Sequence, residues 1–214
     1  MRNHYRMIRG TLAALAVGIF ALPALVLGGW APEPDPVPTR WELDFEPGPL
    51  RLARIDRGAA GPRYFFYMTY RVTNFSGSDL IFAPSFDIVT EEGAIRRSGR
   101  DVPPEVTRTL LSELRNPYLE DQISILGNIL QGIENAKDGL VIWPADSLET
   151  DSLTVFVSGL SGENKPYVVV DAKTGRNKRV MLRKTLMLRY ETPGTLAGRG
   201  STPIELVEKR WVMR

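Results

Sequence analysis

Apolar and polar residues alternate in short runs along most of the chain beyond residue 40, and turn residues separate these runs. The clearest run is 64–73. Four apolar side chains lie on one side of it, namely Phe66, Met68, Tyr70 and Val72. This period of two is typical of a half-buried strand, and the Ser-Gly-Ser-Asp turn that follows predicts a core hairpin over 64–82. The recurrence of the pattern predicts an antiparallel β-sandwich of about seven to nine strands.

Two aromatic residues, Phe65 and Tyr67, lie on the opposite side of the same run, so we expect another element to cover that side. Before the hairpin, 41–45 predicts a first strand with an apolar face and an acidic face, which the Pro-Gly-Pro at 47–49 ends. Later strands are predicted at 50–55, 86–89, 94–97, 139–143, 153–157, 167–170, 180–190 and 204–213. Lys184 interrupts the apolar face of the longest one, which indicates an edge position.

The period changes at residue 103, after which apolar residues recur every three or four positions. The run 103–115 is apolar on one side and ends at an Asn-Pro pair. The run 118–135 carries a longer apolar stripe, formed by Leu119, Ile123, Leu126, Leu130 and Ile133. This spacing predicts a helical hairpin that is inserted into the sandwich at 103–135.

Ile125 and Ile129 widen the stripe of the second predicted helix beyond what one contact with a sheet requires. We expect part of the hairpin to pack over Phe65 and Tyr67, and the remainder to offer a surface to a partner. The candidate partner surface comprises Ile125, Ile129, Leu130 and Ile133. The alternative is that the whole stripe is buried as ordinary core.

The N-terminal region has the composition of a targeting or membrane segment. Three arginines within the first nine residues precede an uncharged, mostly apolar run over 10–32. About 20 helical residues span ~30 Å, the thickness of a bilayer's hydrocarbon core, which favours a retained signal-anchor. A cleaved signal peptide is the alternative, because Gly-Trp-Ala at 29–31 offers a small-x-small cleavage pattern. The arginines orient either form so that the remaining chain crosses the membrane.

Proline occupies every second position from 32 to 38, a pattern that excludes a helix or a central strand. It predicts an extended spacer that holds the domain up to ~30 Å off the membrane, or a disordered tether. The predicted organisation is a signal-anchor or signal peptide at 1–31, a spacer at 32–40, and a sandwich domain at 41–214. We expect a single-pass inner-membrane protein with a periplasmic C-terminal domain, or a secreted or periplasmic soluble protein after cleavage.

Composition excludes several kinds of chemistry. The chain has no cysteine, and its only histidine, His4, precedes the apolar run, which excludes disulfides, thiolate chemistry and histidine-based sites in the outer domain. Of the 27 basic residues three precede that run, leaving 24 against 25 acidic residues, so no nucleic-acid partner is expected. Glu42, Asp44 and Glu46 repeat at ~6.6 Å on a strand, which fits a solvated face better than catalysis. No catalytic, cofactor-binding or metal-binding residue is assigned, and no cofactor is expected.

The densest basic cluster of the body lies around the turn before the longest predicted strand. Arg176, Lys178 and Arg179 are candidates for contact with a polyanion, such as phosphate headgroups or an anionic polysaccharide. Arg183 and Arg189 alternate with core positions on the strand, so a solvated strand face is the competing interpretation.

A strand followed by Val72-x-Asn74-x-x-Gly77 and an apolar restart resembles the exported immunoglobulin-like β-sandwich modules of bacterial envelope proteins. The layout that includes GLVIWPADSLETDSLTVFVSGLSGE at 139–163 is similar to that of an uncharacterised family of membrane-anchored bacterial proteins. The resemblance implies an immunoglobulin-like fold and brings no activity with it. The predicted helical insertion departs from the ordinary sandwich pattern.

These observations predict a non-enzymatic, membrane-tethered extracytoplasmic binding or scaffolding module of the cell envelope, with another envelope protein as its partner. The alternative is a carboxylate-dependent hydrolase that acts on envelope polysaccharide. Such an enzyme needs two acids that converge in a concave site with raised pKa values. The placement of the acids in the folded domain therefore discriminates between the two hypotheses.

Overall fold

Most of the chain folds into β-strands. The computed structural model describes residues 31–56, 58 and 61–214, and these form twelve strands and one α-helix. One sheet contains, in spatial order, β1 (Asp44–Asp56), β2 (Pro62–Thr73), β8 (Lys137–Pro144) and β6 (Leu119–Asp121). The other contains β10 (Asn164–Val170), β11 (Asn177–Glu191), β9 (Ser152–Ser158), β4 (Ser85–Thr90) and β5 (Ile95–Arg97), with β12 (Glu205–Met213) paired to β11. The short strands β3 (Leu80–Phe82) and β7 (Gly127–Ile129) form a separate pair, and α1 is Pro104–Leu114.

The two large sheets enclose a common hydrophobic core. Alternation along β2 turns one set of side chains into it, namely Phe66, Met68, Tyr70 and Val72. The second sheet contributes Phe86, Val155 and Leu188, among others. The rings of Phe45, Tyr70 and Phe86 pack in a triangle. Tyr70 lies 5.1 Å from Phe45 and 4.9 Å from Phe86, and the two Phe rings are 6.1 Å apart, between ring centroids. The prediction of a mainly β, mostly antiparallel domain is confirmed, and the described residues contain more strands than predicted.

Helix α1 covers the outer face of the first sheet. Val106 and Leu110 pack in one buried cluster with Phe65 and Tyr67, so the expectation that a helix covers these aromatics is confirmed. Pro104 occupies the first turn, where a missing N–H costs nothing, and Arg115 ends the helix in a left-handed conformation.

The second half of the predicted helical hairpin is wrong, because 118–135 folds into β6, a turn, β7 and a short 3-10 segment at Ile133–Asn135. The carboxylate of Asp121 accepts hydrogen bonds from the backbone N–H groups of Ile123 and Ser124 and fixes a tight turn. Gly127 and Gly132 have φ angles of 130° and 99°, which a right-handed helix does not contain. A helical spacing of apolar residues therefore coexists here with a non-helical backbone.

Two strand predictions also need correction. The Pro-Gly-Pro at 47–49 does not end a strand, because β1 continues through it with a bulge and pairs with β2 on both sides of it. The predicted core hairpin does not form, because β2 lies between β1 and β8 whereas β3 pairs with β7. The hairpin of β4 and β5 and the remaining predicted strands are present.

The predicted signal-anchor or signal peptide lies outside the described residues. Within residues 31–56, 58 and 61–214, no helix is long and apolar enough to cross a bilayer.

Candidate functional site

An apolar surface lies on the two-stranded sheet of β3 and β7. Ile81 pairs with Asn128, and both side chains point away from the core, whereas Phe82 and Ile129 point into it. Leu126 and Leu130 flank Asn128 by two positions, so alternation places them on the outward side near Ile81. We define the β3–β7 surface as Ile81, Leu126, Leu130 and Ile133, whose exposed fractions range from 46% to 75%.

A fully buried asparagine, Asn74, holds together the loops that flank this surface. The side-chain amide of Asn74 donates hydrogen bonds to the carbonyl oxygens of Ser78 and Ile129, at 2.9 Å and 3.0 Å. Its side-chain oxygen accepts from the backbone N–H and the hydroxyl of Ser76, and its backbone carbonyl accepts from Gly132. The loop before β3 and the chain after β7 are thereby locked together, so the surface is pre-organised.

Only half of the candidate partner surface predicted from the sequence is on the outside. Leu130 and Ile133 are exposed, whereas Ile125 and Ile129 are fully buried in the sandwich core. The prediction is therefore wrong for Ile125 and Ile129, because the turn at Asp121 and the strand β7 direct their side chains inward. Ile81 was missed, since its outward orientation depends on pairing with a strand 47 positions away.

A buried cluster of charges surrounds Lys184 of strand β11. The ammonium of Lys184 is 2.8 Å from Glu42 Oε2 and 3.4 Å from Glu163 Oε2, and its Nζ lies 5.1 Å from the centre of the Trp211 ring. Lys165 approaches Glu163 Oε1 at 3.4 Å. The edge position predicted for Lys184 is wrong, because its strand has β12 on one side and the Glu163 carbonyl, which accepts its backbone N–H, on the other.

The same cluster holds the proline-rich segment on the domain. Lys165 Nζ donates to Asp35 Oδ1 and to the carbonyl oxygen of Glu33, both at 2.6 Å, and the Asp35 backbone N–H donates to Glu163 Oε1 at 2.8 Å. Part of the segment predicted as a spacer over 32–40 is thus in contact with the folded domain at Asp35. The hydrogen bond from Lys165 lowers the pKa of Asp35 below its ordinary value and raises that of Lys165. Both groups thus remain ionised through the neutral range.

The predicted polyanion candidates lie at the end of the turn between β10 and β11 and at the start of β11. Arg176, Lys178 and Arg179 are all exposed there, and Asp171 shapes the turn by accepting hydrogen bonds from the backbone N–H groups of Lys173 and Thr174.

Glu42, Asp44 and Glu46 do not share one solvated strand face. Asp44 and Glu46 are exposed, as expected, but Glu42 is half-buried in its ion pair with Lys184. A different set of acids lines a cavity of about 410 Å³, namely Glu91, Glu92, Glu149 and Asp151. In the described part of the chain, no group of three or more acids or histidines is arranged to hold a metal ion.

Hydrogen bonding holds several carboxyl groups in the ionised form. A paired guanidinium on Arg71 lowers the pKa of Asp138, and backbone N–H donors lower that of Asp171. Burial alone would raise the pKa of Asp121, but hydrogen bonds from Ser124 and Ile123 hold it below the ordinary value. None of these three acids lines the 410 Å³ cavity.

A wide groove of about 770 Å³ lies between the start of the domain and strand β12. Trp41, Phe75 and Trp211 supply aromatic walls, and Lys209 and Glu42 supply charges of both signs. The groove is thus adjacent to the Lys184 cluster and shares Glu42 with it.

No protein-family model matches this chain, and neither a curated protein nor a solved structure does so.

Proposed function

We propose that the protein is a non-enzymatic, membrane-tethered binding module of the cell envelope that docks another envelope protein on its β3–β7 surface. The single observation that carries the proposal is the outward placement of Ile81, Leu126, Leu130 and Ile133 on a rigid frame. Apolar side chains that a folded domain holds in water are typical of interaction surfaces. Burying one such side chain at an interface stabilises a complex by roughly 1.5 to 3 kcal/mol.

The proposed location follows from the sequence. Three N-terminal arginines and the uncharged run over 10–32 support a single-pass inner-membrane signal-anchor with the folded domain in the periplasm. Cleavage after 29–31 would instead release a soluble domain. We further propose that the two sheets are an elaborated version of the immunoglobulin-like sandwich, in which α1 and the β3–β7 pair are insertions.

The alternative function is a carboxylate-dependent hydrolase that acts on envelope polysaccharide. A general acid of that type requires a carboxyl group whose pKa is raised by its surroundings. Hydrogen bonds lower the pKa of Asp35, Asp121, Asp138 and Asp171, which is the opposite direction.

The test is capture of the partner from a detergent-solubilised native envelope with the full-length protein. We expect the double variant Ile81→Ser/Leu130→Ser to retain less than about one tenth of the partner held by the wild type, because two apolar contacts are lost. Both residues are exposed in the free domain, so its melting temperature should change little.

The matched control is Ile95→Ser/Val207→Ser, which changes two exposed apolar residues on β5 and β12. The control should capture the partner as the wild type does. Equal capture by both double variants would show that the β3–β7 surface is not the docking site.

A further inference from the structure

Strands β10 and β11 form a ribbon with an unusual exposed face. Seven residue pairs join them, from Asn164 with Arg183 to Val170 with Asn177. Val168, Val170 and Met181 point away from the domain on this face, with exposed fractions from 57% to 66%. Arg179 pairs with Val168, so basic and apolar side chains share the face.

The ribbon is also strongly basic. Between positions 168 and 183 it carries five exposed basic residues, namely Lys173, Arg176, Lys178, Arg179 and Arg183. Its single acid, Asp171, accepts backbone hydrogen bonds within the turn. Five basic residues against one acid leave this stretch with a net charge of +4, although the body as a whole is nearly neutral.

The base of the ribbon contacts the segment that follows the uncharged run. Glu33 is the first charged residue after the uncharged run, and its carbonyl accepts a hydrogen bond from Lys165 at the base of β10.

We infer that the exposed face of the β10–β11 ribbon lies on the anionic lipid headgroups of the membrane that anchors the chain. Lipid phosphates are contacted by Arg179 and Arg183 on this face and by Arg176 on the turn. Val168, Val170 and Met181 enter the interfacial layer. The apolar residues favour a lipid surface over an anionic polysaccharide, which offers phosphate or sulfate charges but no apolar layer. This inference rests on the membrane tether of the proposed function.

The absence of cysteine from the chain permits a site-specific probe. Full-length Val168→Cys protein is labelled with the fluorophore NBD and reconstituted into nanodiscs of phosphatidylcholine alone or with phosphatidylglycerol. We expect quenching by acrylamide to be at least about three-fold weaker in the anionic nanodiscs, because the label is covered there. The same label at Ile95→Cys, on the opposite edge strand β5, should be quenched equally in both.

Charge removal provides the second arm of the test. Each basic residue near an anionic leaflet strengthens attraction by about five-fold, so Arg176→Ala/Arg179→Ala/Arg183→Ala should lower the docked-to-free ratio by about 100-fold and restore quenching. The matched control, Arg54→Ala/Arg100→Ala/Arg189→Ala, removes three exposed arginines elsewhere and should keep the protection.

The other outcomes overturn the inference in different ways. Equal quenching in the two lipids, with the protein retained in the nanodisc, would contradict the ribbon contact and leave the tether intact. Protection by dextran sulfate but not by phosphatidylglycerol would assign the ribbon to a polysaccharide instead. A protein that leaves the nanodisc altogether would contradict the tether, and with it the placement of the ribbon.

Discussion

The Lys184→Met variant is expected to lower the free energy of unfolding by about 3 to 5 kcal/mol, because it removes the buried ammonium that Glu42 and Glu163 share. Lys184 and Glu163 are almost entirely buried, and Glu42 is half-buried against the same ammonium. Methionine fills a similar volume, so packing alone would change the free energy far less. The measurement is urea denaturation followed by tryptophan fluorescence.

Two further variants isolate the electrostatic cause. Lys178→Met changes an exposed lysine on the same strand and should cost less than about 0.5 kcal/mol. Combining Lys184→Met with Glu42→Gln and Glu163→Gln removes the two carboxylate charges, keeps an acceptor oxygen for the Asp35 N–H, and should recover most of the lost stability. If Lys184→Met cost no more than Lys178→Met, the buried cluster would not be a stabilising feature of the domain.

The Ile129→Ser variant is expected to lower the free energy of unfolding by about 3 to 5 kcal/mol, because it creates a cavity and places a hydroxyl in the core. Ile129 is fully buried and lies in the main hydrophobic cluster. The neighbouring Leu130→Ser variant is the matched control, since Leu130 is about half exposed and its loss should cost less than about 1 kcal/mol. Equal melting temperatures for the two variants would show that β7 does not have the orientation described.

The alternating strands could be predicted because their signal is local. Phe66, Met68 and Val72 face the core as their parity requires, and the helix at 104–114 begins and ends near its prolines. In these segments the pattern and the local backbone preference agree, so no distant contact is needed to choose the structure.

The segment 118–135 shows where a pattern is insufficient. Its apolar residues recur at helical spacing, yet the Asp121 turn and two glycines with positive φ produce a strand and a 3-10 segment. The helical interpretation therefore places Ile125 and Leu130 on one surface, although Ile125 is buried and Leu130 is exposed. The prediction of the partner surface failed for this reason at two of its four positions.

Contacts between distant residues account for the other differences. Lys184 meets Glu42, which lies 142 positions earlier, and Lys165 meets Asp35 across 130 positions. From local sequence alone, a basic residue on an apolar strand face is interpreted as an edge position. A proline-rich run is interpreted as a spacer. The complementary charges that change these interpretations are visible only after the sheets have formed.

The measurement that tests the membrane-tethered account most directly is alkaline carbonate extraction of membranes that contain the full-length protein, followed by N-terminal sequencing. The account predicts that the protein stays in the membrane pellet with residues 1–31 intact, because the uncharged run over 10–32 is held in the bilayer by the hydrophobic effect. Recovery of the protein in the supernatant with Pro32 at its N-terminus would contradict the tether and leave a soluble exported domain.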